Sequence, residues 1–110
     1  MTSLSLCYNN LTNIDSKLFE NLNKLELLDL SNNKIKNLEA DCLRRIISLR
    51  WIILDNNKLT SISENIFNGL IELREISLTG NKIDKTSLEL LLFNLAYSNI
   101  RDLDWIRFDD

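Results

Sequence analysis

The chain, 110 residues long, predicts a solenoid of the α/β class, with short parallel strands stacked along one face and returning segments along the other. Two observations carry this. In Leu25 to Ile35, LELLDLSNNKI, Leu28 and Leu30 lie two apart and share one face of a strand, while Leu27 and Asp29 share the opposite face. The pattern also returns at a fixed interval. Met1 to Leu11 reads MTSLSLCYNNL, Leu49 to Leu59 reads LRWIILDNNKL and Leu73 to Ile83 reads LREISLTGNKI, with starts 24 residues apart.

Four columns align in these four copies: Leu4, Leu28, Ile52, Ile76; Leu6, Leu30, Leu54, Leu78; Asn9, Asn33, Asn57, Asn81; and Leu11, Ile35, Leu59, Ile83. A period of this size marks a repeat array, in which each unit buries its apolar face against the next. The pattern LxxLxLxxNxL resembles the leucine-rich repeat family across nearly the whole chain. The resemblance implies a right-handed solenoid with its parallel sheet concave and loops or short helices on the convex side. Repeats are expected at about 1–24, 25–48, 49–72 and 73–102, with a partial one at 103–110.

Each copy opens with a strand, about Leu27 to Leu30 in the second and Trp51 to Leu54 in the third. The resemblance gives Asn9, Asn33, Asn57 and Asn81 the role of bending the chain inward and hydrogen-bonding the neighbouring turn. The chemistry suits it, because a buried turn leaves amide groups unpaired at ~1–3 kcal/mol each, and an amide side chain both donates and accepts. The return segment repeats Ile14, Leu38, Ile62, then Phe19, Leu43, Phe67, then Leu22, Ile46, Leu70, all expected in the core. Copies of 24 residues with this phenylalanine look like those of extracellular receptors such as the Toll-like receptors. Those usually carry proline where Asp15, Glu39 and Ser63 stand here.

The fourth copy departs from the pattern. Leu88, Leu91, Leu92 and Leu95 follow helical spacing, with Ser87 or Thr86 as N-cap. A convex helix is expected, followed by a strand from Leu103, where LDWIRFDD mirrors LRWIILDN. A competing register uses Phe93, Leu95, Ser98, Ile100 and Leu103 as strand and turn, and leaves only Asp84 to Glu89 for the return.

Composition narrows function. The chain has no histidine, so no histidine general base and no Ser-His or Cys-His pair exists. Gly69 and Gly80, the only glycines, form no phosphate loop, and no metal-ligand spacing is present. No enzyme, cofactor or metal is expected. A net charge of −3 argues for neither nucleic acid nor membrane attraction, and no apolar run approaches the ~18 residues of a span. Cys7 and Cys42 fall on opposite sides of the expected turn and should be free thiols.

In the family the concave face is the usual protein-binding surface, which points to a protein ligand or partner domain. Its outward strand positions are Ser3 and Ser5, Leu27 and Asp29, Trp51 and Ile53, Glu75 and Ser77, then Trp105 and Arg107. Tyr8, Asp55 and their equivalents follow just after the strands. Leu27, Trp51 and Ile53 break the polar character of this face, and Asp29, Asp55 and Glu75 ring them, as at an interface hot spot. The plainer reading is that isolated exposed apolar residues are common and cover their neighbours. Lys34, Lys58 and Lys82 form a basic column, read first as a solvated edge. Asn10-Leu11-Thr12 fits a glycosylation acceptor.

Two compartments stay open. The receptor-like repeats favour an extracellular or cell-surface role within a longer chain. Free cysteines and the lack of a secretory signal before Leu4 and Leu6 favour a cytoplasmic adaptor or scaffold. A structural spacer is a third reading. The apolar edges at Leu4 and Leu6 lead us to expect a covering domain, a partner subunit or self-association.

Overall fold

The computed structural model describes residues 2–100 and 102–109. Met1, Arg101 and Asp110, which fall inside the expected repeat limits, lie outside the described residues. Five short strands build the main sheet: β1 (Ser3–Ser5), β3 (Leu27–Asp29), β5 (Trp51–Ile53), β6 (Glu75–Ser77) and β7 (Trp105–Arg107). All neighbouring pairs are parallel, in the order β1-β3-β5-β6-β7. Sequence neighbours are thus sheet neighbours, as a solenoid requires.

The register follows the repeat columns. Leu4 pairs with Leu28, Leu28 with Ile52, Ile52 with Ile76 and Ile76 with Ile106. Leu28, Ile52 and Ile76 are buried, as are Leu30, Leu54 and Leu78 two residues on. The strands end one residue earlier than expected, at Asp29 and Ile53 rather than Leu30 and Leu54. Backbone pairing nevertheless runs on: Leu30 N donates to Ile53 O, and Leu54 N to Ser77 O, each at 2.8 Å.

After each of β1, β3, β5 and β6 the chain turns through one left-handed residue. Tyr8, Asn32, Asn56 and Gly80, all with φ between 56° and 71°, form this column. Glycine suits the last of these in a further way, since a Cβ there would fall on the Asn56 side chain, which would have to move. The convex return of the first three copies is a run of tight turns, such as Leu22 N to Phe19 O, Ile46 N to Leu43 O and Leu70 N to Phe67 O. These bring Phe19, Leu43 and Phe67 into the core. Leu22 and Leu38 are only half-buried. A small parallel sheet of β2 (Asn13–Ile14) and β4 (Asn37–Leu38) joins two of the returns and was not expected.

The fourth return is the helix α1 (Lys85–Ala96). Leu91 and Leu95 are buried against the core, and Leu88 and Leu92 are half-buried. The helix takes up Phe93 and Leu95, so the competing register is not adopted. The N-cap is Asp84, not Ser87 or Thr86: its carboxylate accepts from Ser87 N at 2.8 Å. A carboxylate three residues ahead reaches this amide directly. The Ser87 hydroxyl is instead spent on the neighbouring turn, accepting from Ile62 N at 2.8 Å and donating to Ile62 O at 3.0 Å. The strand expected from Leu103 begins at Trp105, with Leu103 half-buried before it. No helix among the described residues is long and apolar enough to cross a membrane.

Candidate functional site

The strand register arranges the outward side chains into two rows. One runs Ser3, Leu27, Trp51, Glu75, Trp105, and the other Ser5, Asp29, Ile53, Ser77, Arg107. Strand alternation puts both rows on the face opposite the core. A shallow groove of about 230 Å³ lies there. Leu27, Trp51, Ile53, Asp55, Glu75 and Arg107 line it together, with Ser77. Leu27, Trp51 and Ile53 are half-buried: they support one another without entering the core.

Of the other expected residues, Asp29 sits beside Ile53 in the register. Trp105 lies on the edge strand, 57% exposed, with the Arg107 guanidinium 5.3 Å from its ring centroid. Tyr8 is 79% exposed on the turn after β1 and does not line the groove. It is also the bulkiest residue in the left-handed column, which Asn and Gly otherwise fill.

The charged residues of this face are tied to their neighbours. Asp29 Oδ1 accepts from Ser31 N at 3.0 Å and from the Ser31 hydroxyl at 2.7 Å. Asp55 Oδ1 accepts from the Ser77 hydroxyl at 2.7 Å and from Thr79 N at 2.9 Å. Arg107 lies 3.9 Å from Glu75, and Arg50 3.4 Å from Glu26. Glu26, Arg50 and Arg74 escaped the sequence reading, because they precede the strands by one position and carry no apolar signal. The Arg74 Nε atom is buried without a hydrogen-bond partner among the described residues.

Behind the strands the asparagines connect successive turns. Asn33 Oδ1 accepts from Asn9 N and Leu11 N, and its Nδ2 donates to Leu6 O, Leu30 O and Ser31 O. Asn57 bonds Ile35 N, Leu30 O, Leu54 O and Asp55 O. Asn81 repeats this one turn on, with Leu59 N, Leu54 O, Leu78 O and Thr79 O. Asn9 is exposed, and among the described residues its side chain reaches only Leu6 O and Cys7 O of its own turn. Asn10 is exposed beside it, and Lys34, Lys58 and Lys82 are exposed in the equivalent positions.

Both cysteines are free. Burial, then the nearby Glu39 charge, pushes the Cys42 thiol from 9.0 up to about 12, so it stays protonated. No group of three or more metal-ligating side chains occurs among the described residues.

A family model described as leucine rich repeat matches residues 1–59 and 47–90. No curated protein matches the chain. Among solved structures, a leucine-rich repeat protein of Leptospira interrogans superposes with a TM-score of 0.77 at 26% identity, covering 100% of this chain and 25% of that one. The Toll–Spatzle complex of Drosophila superposes with a TM-score of 0.61 at 23% identity, covering 82% of this chain and 17% of the other; at that identity the likeness is one of fold. The chain thus spans a quarter or less of these structures. The repeat columns, the parallel register and the matched family model agree that the chain belongs to the leucine-rich repeat family.

Proposed function

We propose that the chain recognises a protein partner through the sheet face centred on Trp51, without catalysis of its own. Leucine-rich repeats generally bind proteins and generally lack catalytic machinery, and the finer assignment rests on one observation. Leu27, Trp51 and Ile53 form an apolar groove on the solvent side of the sheet, bordered by carboxylates. Tryptophan is among the residues most enriched in binding hot spots, which sit at the centre of a patch with a polar rim. Trp51→Ala is expected to cost ~2 kcal/mol or more of partner affinity. Its circular dichroism and melting temperature should stay close to those of the parent chain, since Trp51 lies outside the core. Affinity capture with both forms tests this. Equal capture by the two would remove Trp51 from the site.

The setting we propose is a receptor or adhesion ectodomain within a longer chain, supported by the 24-residue spacing and the buried Phe19 and Phe67. The free thiols Cys7 and Cys42 support a second reading, an intracellular adaptor. Protease digestion of intact cells producing the complete gene product separates the two: only the ectodomain is cut.

A further inference from the structure

We propose that the groove takes an extended segment of a partner protein carrying one apolar side chain, seated between Trp51 and Ile53, and a lysine or arginine beside it, facing Asp29 and Asp55. This rests on the sheet-face reading above and adds the chemistry of the partner. At about 230 Å³ the groove is smaller than the ~300–1,000 Å³ typical of small-ligand pockets, which suits one side chain better than a whole ligand. Its floor is apolar, which selects an apolar side chain.

Charge balance selects the neighbour. Two cations of the face are already compensated, Arg50 by Glu26 and Arg107 by Glu75. Asp29 and Asp55 have no cation within ion-pair distance among the described residues. Each spends Oδ1 on protein donors and leaves Oδ2 without a protein hydrogen bond. Both are half-buried, so salt screens them less than it screens a fully exposed charge. Arg74, the face's remaining cation among the described residues, stands in the row before the strands, three residues ahead of Ser77, and is within ion-pair distance of neither carboxylate. A cation brought against Asp29 and Asp55 meets uncompensated negative charge, whereas an acidic segment meets repulsion.

Panning a displayed library of short random peptides on this protein, followed by fluorescence anisotropy of the selected peptides, tests the assignment. The expected binders pair an apolar residue with an adjacent Lys or Arg, lose binding with Trp51→Ala and weaken as salt rises. The double variant Asp29→Asn/Asp55→Asn keeps an acceptor oxygen for Ser31, Ser77 and Thr79, and should weaken them about tenfold or more. The salt series on the unaltered chain reads the same charge without relying on that variant's folding. Binders that need Trp51 but carry no cation, or ignore both salt and the double variant, overturn the charge assignment and leave the face standing. Binders indifferent to Trp51, or no binders, overturn both.

Discussion

Asn57 is the side chain on which two turns depend. At 6% exposure it holds one amide and three carbonyls from the second and third copies. Removing it leaves the buried Ile35 amide and neighbouring carbonyls unpaired, at ~1–3 kcal/mol for each group that water does not reach. Asn57→Ala should therefore cost about 2–4 kcal/mol in chemical denaturation. Asn9→Ala should cost under about 1 kcal/mol, because Asn9 is exposed and water replaces its bonds. Cys42 gives a prediction of another kind. Its thiol titrates near the ordinary 9.0 in the unfolded chain and at about 12 in the folded one. Between those values the unfolded chain has lost the proton and the folded chain keeps it. The thiol's contribution is therefore complete below about pH 9 and is lost as pH rises toward about 12. Denaturation midpoints over this range should fall more steeply for the parent chain than for Cys42→Ala.

At the scale of elements, α1 is the departure from the repeat. Thirty residues separate Glu75 from its sheet partner Trp105, against 24 between earlier partners, and the extra length is wound into a helix. Five of its twelve residues are leucine, none is glycine or proline, and Asp84 closes its first turn. Leu91→Ala should cost ~2–5 kcal/mol, as Leu91 is fully buried. Phe93→Ser should stay within about 0.5 kcal/mol, because Phe93 is 66% exposed and its ring meets the exposed Tyr97 with centroids 4.9 Å apart. Thermal melts of both variants check this. Leucine spacing made the helix legible. Its cap was not, because Asp84, Thr86 and Ser87 are all acceptable caps, and the choice fell to Ile62, which takes the Ser87 hydroxyl. The two-residue strands β2 and β4 were illegible for a simpler reason: two residues show no alternation.

At the scale of the molecule, each turn packs on its neighbours alone, so stability is a sum of turns and interfaces. Leu54 is fully buried between Leu30 and Leu78, whereas Leu6 is half-buried and has Leu30 on one side. Leu54→Ala should cost ~2–5 kcal/mol, and Leu6→Ala about half as much, in urea denaturation. Equal losses would show that cooperation across the stack outweighs local burial. On the outer face the same stacking sets Leu27, Trp51 and Glu75 side by side, from residues 24 apart in sequence. The recognition proposed for this face would therefore draw on three copies at once.

The sequence by itself determined the repeat, the strand faces and the composition of the outer rows. Period and alternation are local, and a one-residue slip would move every leucine to the wrong face. It also named Leu27, Trp51, Ile53, Asp55, Glu75 and Arg107, which share one groove. The tertiary structure decided how their charges are spent. Asp55 bonds Ser77 and Thr79 of the next turn, and Arg107 turns to Glu75 and Trp105. Those partners depend on the distance between stacked copies and on side-chain rotamers, and neither is written in the order of residues along one copy.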